Sequence, residues 1–183
     1  MDFEKVLPLI IKEFEQKNIR YALIGGFALG ALGIMRATMD LDFLVDAQDL
    51  NKIEEVMRRF DYTCIFKTEN VSQYVSDLKI FGEIDFLHAF RNISVSMLKR
   101  AKKATIFENK YTINVLCSED IIGLKLQALV NDKSRENREY ADIEMLMEYY
   151  GEDLNWDLIE EYYALFDKGK EFKRIRDLYK NAQ

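Results

Sequence analysis

Two aspartates near residue 40 have the type and spacing that suit a metal ion. Asp40 and Asp42 lie in a segment, residues 40 to 46, whose acidic and apolar residues alternate as in a β-strand. Side chains two residues apart on a strand point to one face, with Cα atoms roughly 6.5 to 7 Å apart. A hard cation such as Mg²⁺ or Mn²⁺ prefers oxygen ligands and keeps positions open for phosphate oxygens. The aspartate pair therefore predicts a site for a divalent cation and a phosphorylated ligand.

A glycine pair precedes these aspartates. Gly25 and Gly26 end a short apolar run, residues 20 to 24, and begin a stretch of small residues that suits a helix packed on a sheet. Backbone N–H groups at the start of such a helix can approach phosphate oxygens, and the helix dipole favours that contact. Arg36 and Thr38 add a charge-assisted contact and a hydroxyl. The alternative interpretation is a tight turn followed by an edge strand with solvated acidic residues.

The order of these residues resembles the nucleotidyltransferase superfamily, in which a Gly-Gly or Gly-Ser pair follows an apolar residue and precedes Asp-apolar-Asp. Thirteen residues separate Gly26 from Asp40. Residues 25 to 29 and the run Arg36-x-Thr38-x-Asp40-x-Asp42 are most similar to the abortive-infection (AbiEii-type) toxin nucleotidyltransferases and their uncharacterised relatives. The resemblance covers residues 21 to 146. It implies metal-dependent transfer of a nucleoside monophosphate (NMP) from a nucleoside triphosphate (NTP) to an acceptor hydroxyl, with release of pyrophosphate.

Transfer of this kind also uses a third carboxylate on a neighbouring strand. Residues 80 to 87 alternate so that Glu83 and Asp85 face away from the apolar side, and Asp85 stands where the family's third aspartate falls. Glu83 is the competing candidate, and a solvated strand face is the alternative to both. The predicted catalytic and metal-binding residues are therefore Asp40, Asp42 and Asp85, with Asp85 serving a second metal ion or deprotonating the acceptor.

The resemblance implies one more phosphate contact, from a lysine in a later helix. Lys125 lies close to the apolar face of residues 121 to 129, and snorkelling of its long side chain is the alternative interpretation. Residues 138 to 146 resemble the next family segment but depart from it at Tyr140 and Ala141, so Asp142 is interpreted as an orienting or packing residue. The predicted nucleotide-binding residues are Gly25, Gly26, Arg36, Thr38 and Lys125.

The elements that must position these residues form an αβ half followed by a helical half. Strands are predicted at 20–24, 40–46, 62–66, 71–81 and 83–88, with a small pair near 105–107 and 111–115, and helices at 3–16, 26–33, 51–60, 119–131, 136–150, 156–166 and 170–180. The predicted fold class is α+β, a nucleotidyltransferase-like mixed β-sheet flanked by helices. The core would span residues 1–117, and a C-terminal helical segment, 118–183, would pack on it as one folded unit.

Composition limits the partners of this chain of 183 residues, 49% of which are hydrophobic. A net charge of −6 argues against coating nucleic acid by bulk electrostatics, so an RNA partner would have to be bound locally. Two distant cysteines and no zinc-binding pattern favour a reduced cytoplasmic setting. No segment approaches the roughly 20 apolar residues that a membrane span requires, so no membrane partner is predicted.

Several interpretations stay open at this point. The basic run at residues 99–103 either contacts the phosphates of an RNA acceptor or forms a solvated loop, and the single histidine, His88, is interpreted as structural. The acceptor is tRNA, a partner protein or a small molecule, and the setting a toxin–antitoxin pair or phage defence. A catalytically degenerate binding module or antitoxin and an antibiotic nucleotidyltransferase are the rival functions. The sequence carries no prediction of oligomeric state.

Overall fold

The computed structural model describes residues 1–181, so the last two residues of the predicted 118–183 segment lie outside the described residues. The chain divides into two compact units, Met1–Cys117 and Ser118–Gln183. The first unit contains helices α1 (Phe3–Gln16), α2 (Gly25–Ala31), α3 (Leu50–Arg59) and α4 (Asn92–Arg100), and strands β1 (Tyr21–Ile24), β2 (Leu41–Asp46), β3 (Tyr62–Lys67), β4 (Val71–Ser76), β5 (Glu83–Ala89), β6 (Lys102–Ile106) and β7 (Tyr111–Val115).

These strands form one mixed sheet in the order β3-β4-β5-β2-β1-β7-β6. Strand β2 runs parallel to β5 and antiparallel to β1, and β1 runs parallel to β7. The remaining neighbours, β3–β4, β4–β5 and β6–β7, are antiparallel. The predicted α+β fold with a mixed sheet flanked by helices is therefore confirmed. The acidic strand β2 lies in the interior of the sheet, between β1 and β5.

An aromatic core covers one face of the sheet. The ring of Phe14 on α1 lies 5.6 Å from the ring of Phe43 and 6.2 Å from that of Phe86, and these two strand residues stack at 5.8 Å. All three side chains are buried. Because successive residues on a strand point to opposite faces, Asp42 and Asp85 lie on the other face of the sheet. Packing of the apolar face thus fixes where the carboxylates point.

Two parts of the first unit differ from the sequence predictions. Strand β4 ends at Ser76, and residues 77–82 form a turn in which Gly82 has a φ of +65°. Leu78 and Ile80 in that turn alternate with polar residues, and this pattern led to the prediction of a strand that continues to residue 81. Both side chains are exposed, so the alternation does not reflect a buried strand face. Helix α4 was not predicted, and the interpretation of residues 99–103 as a loop is wrong. The run instead supplies the last turn of α4, where basic side chains suit the helix dipole, and the start of β6.

The second unit consists of α5 (Ser118–Asn131), α6 (Glu136–Tyr150), α7 (Trp156–Leu165) and α8 (Gly169–Asn181). Helices α5 and α7 approach closely at Gly123, where a Cβ atom would lie 2.9 Å from the ring of Tyr162. The hydroxyl of Tyr162 donates a hydrogen bond to Asp120 Oδ1 at 2.6 Å, which fixes the pair of helices. Across residues 1–181, none of the helices has both the length and the apolar character needed to span a membrane.

Candidate functional site

The pairing of β2 with β5 brings two of the predicted catalytic residues together. Asp42 and Asp85 are direct partners in this parallel pair, and neighbouring strands lie about 4.8 Å apart. Asp85 Oδ2 accepts a hydrogen bond from Gln73 Nε2 at 3.1 Å. Its other oxygen, Oδ1, is buried and has no hydrogen-bond partner among the described residues. A buried carboxylate oxygen left in this state suits a ligand that brings positive charge or a proton.

Asp40 stands at the same end of β2, just before its first residue. Asp40 Oδ1 accepts a hydrogen bond from the Thr38 hydroxyl at 2.6 Å. Burial raises the pKa of Asp85, the hydrogen bond from Gln73 opposes that shift, and the charge of Asp40 adds to it. Burial also raises the pKa of Glu83, and the charges of Asp85 and Asp40 act in the same direction. The carboxylates therefore share one region of negative charge.

The third-carboxylate alternatives, Asp85 and Glu83, occupy different places in the sheet. Asp85 pairs with Asp42 on β2 and with Gln73 on β4, whereas Glu83 is the first residue of β5 and pairs with Val75. This register supports Asp85 as the residue that acts with Asp42. Its assignment as a catalytic residue remains a prediction.

The glycine pair makes room for two of the site's side chains. Gly25 has a φ of +68°, and a Cβ atom there would lie 1.9 Å from Asp42 Oδ2. A Cβ atom on Gly26 would lie 2.8 Å from Thr38 Oγ1. The sequence suggested a different reason for these glycines, the approach of phosphate to the backbone. The structure adds that both positions must lack side chains for Asp42 and Thr38 to reach their places.

A cavity of about 540 Å³ borders Arg36 and Thr38 and extends between α2 and the tip of the β6–β7 hairpin. The ring of Phe27 on its wall lies 4.9 Å from that of Phe3 and 6.0 Å from that of Phe107. Its volume falls in the range of small-molecule sites, roughly 300 to 1,000 Å³. Sequence reasoning missed this cavity, because its aromatic residues are distant in sequence and each is equally typical of a core position.

Lys125 is buried inside the second unit. Its Nζ lies 2.9 Å from Glu139 Oε2 and 2.5 Å from Asp142 Oδ2, both on α6. Arg135 Nη2 and Arg138 Nη2 also reach Glu139, so the two carboxylates and the three cations form one network. The lysine is thus ion-paired and does not snorkel to solvent. Its contact with nucleotide phosphates stays a prediction, and so does the orienting or packing role of Asp142, which the ion pair with Lys125 supports.

His88 is held by two hydrogen bonds in the interior. Its Nε2 lies 3.0 Å from Ser72 Oγ, and its Nδ1 lies 2.9 Å from the carbonyl oxygen of Glu69. Burial lowers the pKa of the imidazole. His88 is two residues beyond Phe86 on β5, so it lies on the face opposite Asp42. These contacts support the structural interpretation.

The donors present at the site fit a hard divalent cation. Aspartate oxygens are the ligands that Mg²⁺ and Mn²⁺ prefer, and Asp85 Oδ1 is buried without a protein donor among residues 1–181. In that same part of the chain, no group of three or more Asp, Glu, His or Cys side chains is arranged to hold a metal ion by itself. Mg²⁺ commonly binds through one or two carboxylates together with water and substrate phosphates. The metal assignment of Asp40, Asp42 and Asp85 accordingly stays a prediction.

Comparison with protein families gives a match over most of the chain. The model of a family described as uncharacterised nucleotidyltransferase matches residues 3–166. No curated protein gives a significant match.

Solved structures with the same fold include several nucleotidyltransferases. The antibiotic-resistance factor ANT(2'')-Ia is 12% identical with a TM-score of 0.69, and the match covers 98% of each chain. The lincosamide antibiotic adenylyltransferase LnuA is 18% identical with a TM-score of 0.56, covering 78% of this chain and 95% of its own. A Thermotoga maritima protein assigned as a nucleotidyltransferase is 15% identical with a TM-score of 0.56, covering 76% and 92%. At these identities the similarity establishes the fold.

Proposed function

The chain belongs to the family of uncharacterised nucleotidyltransferases, and on this premise we propose that it transfers an NMP from an NTP to an acceptor hydroxyl, releasing pyrophosphate. The observation that carries the proposal is the direct pairing of Asp42 with Asp85, with Gly25 against the Asp42 carboxylate. The buried, unsatisfied Oδ1 of Asp85 supports the same conclusion.

Each residue of the site has a role in this reaction. Asp40 and Asp42 would hold Mg²⁺ or Mn²⁺, which when bound neutralises phosphate charge and orients the triphosphate. Gly25, Gly26, Arg36, Thr38 and Lys125 are the proposed phosphate-binding residues, and Thr38 also orients Asp40 through its hydroxyl.

Bond making and breaking occur at the α-phosphorus. The acceptor oxygen forms a bond to that atom, and the bond from it to the bridging oxygen breaks. Pyrophosphate leaves with the electron pair of the broken bond, and Asp85 takes the hydroxyl proton or serves a second metal ion. A raised pKa suits Asp85 for taking a proton, because a general base works best with a pKa near the operating pH.

The carboxylates on the sheet do not specify which acceptor receives the nucleotide. The AbiEii-like run at residues 25–42 supports a toxin–antitoxin or phage-defence setting, in which the acceptor is tRNA or a partner protein. A small-molecule acceptor, including an antibiotic, is the alternative. A degenerate module that binds nucleotide without turnover is the second alternative, and the intact aspartates argue against it.

Label transfer tests the proposal directly. Purified protein is incubated with α-labelled ATP, GTP, CTP or UTP, with Mg²⁺ or Mn²⁺, and with tRNA, host protein or aminoglycosides as acceptors. We expect transfer by the wild type and a loss of roughly 100-fold or more in Asp42→Asn, since positioned charge dominates such catalysis. Asp61→Asn is the matched control, because Asp61 is exposed with a φ of +56° that asparagine tolerates.

The outcomes separate the alternatives. If the wild type and Asp42→Asn are equally inert with every NTP, and neither binds NTP with metal, the proposal is overturned. Metal-dependent NTP binding without transfer to any acceptor identifies the degenerate module.

A further inference from the structure

Gln73 on β4 is a hydrogen-bond partner of Asp85 that the reaction scheme does not use. The two residues are direct partners in the antiparallel β4–β5 pair. Gln73 Nε2 donates to Asp85 Oδ2 at 3.1 Å, whereas Oδ1 has no partner among the described residues. The adjacent residues of β4, Ser72 and Tyr74, are buried on the opposite face of the sheet. Gln73 therefore lies on the same face of the sheet as Asp85 and is its partner on β4.

The sheet order places Asp85 between Gln73 and Asp42. Strand β5 lies between β4 and β2. Gln73 holds Asp85 Oδ2 from the β4 side, and Asp42 is the partner of Asp85 on the β2 side. The hydrogen bond thus restrains the carboxylate that pairs with the second aspartate and leaves Oδ1 without a partner among the described residues.

An amide is chemically suited to this task. A lysine or arginine would orient Asp85 equally well, but its charge would neutralise the carboxylate and repel a divalent cation. A carboxylic acid in its place would add a further negative charge when ionised. A neutral N–H donor fixes the rotamer of Asp85 and leaves its full charge available.

We propose that Gln73 is a positioning residue of the active site, which holds Asp85 Oδ2 so that Oδ1 meets the cation and the acceptor. The inference rests on the proposed function and extends it to a residue outside the glycine–aspartate pattern. Gln73 does not touch substrate; it acts through Asp85. Residues that orient metal ligands in this way typically change metal affinity or activity by 10- to 100-fold when mutated.

The test compares two substitutions that separate donation from charge. Gln73→Met keeps the length of the side chain and removes the donor, and Gln73→Lys keeps a donor and adds a positive charge. Mn²⁺ affinity is measured by water-proton relaxation in the presence of a non-hydrolysable NTP analogue, and thermal unfolding is followed in parallel. Val71→Thr is the matched control, because Val71 lies on the same face of β4 and pairs with Leu87.

We expect Mn²⁺ affinity to fall about tenfold or more in Gln73→Met and further in Gln73→Lys, with Val71→Thr near wild type. The midpoint of unfolding of Gln73→Lys should equal or exceed that of the wild type, because the new cation pairs with Asp85. In transfer assays kcat should fall while KM for the NTP changes little. A merely structural glutamine would lower stability and metal affinity together.

Two further results overturn the inference, and they are distinguishable from one another. If the wild type binds Mn²⁺ with the NTP analogue and Gln73→Met binds within about twofold of it, the positioning role fails and the proposed function stands. If the wild type binds neither, the proposed function itself fails and the positioning role fails with it.

Discussion

At the level of a single residue, the ionised side chain of Asp85 in the candidate active site lowers the stability of the folded protein. It is half-buried, one of its oxygens has no hydrogen-bond partner among residues 1–181, and burial raises its pKa. Each property makes the ionised carboxylate less favourable in the folded protein than in the unfolded chain. Native proteins retain such groups mainly where function requires them.

Replacing Asp85 by asparagine should therefore stabilise the fold while abolishing transfer. The folded protein holds the Asp85 proton more tightly than the unfolded chain, so this residue's contribution to stability falls as pH rises through its raised pKa. The gain in Asp85→Asn should be on the order of 1 kcal/mol at neutral pH and should shrink toward pH 4. Urea unfolding of wild type and variant across this pH range measures it.

The stability control uses an exposed carboxylate. Asp61→Asn removes a charge at the surface, and its free energy of unfolding is measured across the same pH range. If Asp85→Asn is less stable than the wild type at neutral pH, the burial cost assigned to Asp85 is contradicted.

At the level of elements, the turn from β1 into α2 is the part of the site least tolerant of change. Gly25→Ala would bring a methyl group against Asp42 and force alanine into the left-handed region, which costs about 1–3 kcal/mol in backbone strain. Gly30→Ala in the same helix meets no atom within 4 Å and should gain up to about 1 kcal/mol from helix propensity. Chemical unfolding should thus show a loss of stability in Gly25→Ala alone, and NTP binding should weaken in that variant alone.

Equal stabilities of the two alanine variants would show that Gly25 is not in the conformation described. If Gly25→Ala has the wild-type free energy of unfolding but binds NTP more weakly, the glycine is required for the approach of phosphate to the backbone.

The elements also show which features were predictable from the sequence. Helix α1 was predicted closely, because its apolar residues have a helical period and one buried face. Strand β2 was predicted closely as well, although residues 43 to 46 are buried on both of its faces. The placement of Asp85 opposite Asp42 depended on strand order, which the alternation of β5 alone does not specify. The family resemblance predicted a third carboxylate on a neighbouring strand, and the structure adds the register that pairs Asp85 with Asp42.

Features that depend on tertiary contacts were missed. Helix α4 has only one buried residue, Met97, so its apolar period is weak. The role of Gln73 follows from the register of β4 on β5, and a glutamine on a strand carries no local signal of function. The ion pairs of Lys125 could likewise not be predicted from the sequence, because its partners lie on the next helix.

At the level of the whole molecule, net charge constrains the acceptor. A chain with a net charge of −6 attracts cationic small molecules and repels RNA, except where basic side chains are locally exposed. Such residues lie at the end of α4 and the start of β6: Lys99, Arg100, Lys102 and Lys103. The ionic-strength dependence of acceptor binding should therefore distinguish acceptor classes before the physiological acceptor is identified.

We expect the Kd of a polycationic aminoglycoside to rise with NaCl, because salt screens its attraction to the carboxylates. For a tRNA, log Kd plotted against log salt should have a slope no steeper than about 4, since each phosphate contact contributes about 0.7 to 0.9 and the run offers four basic side chains. Fluorescence anisotropy measures both ligands, and the double variant Lys102→Ala/Lys103→Ala should reduce the RNA slope and leave the aminoglycoside unchanged. A slope of about 6 or more would require a basic groove formed by other residues, and would contradict the local contact expected here.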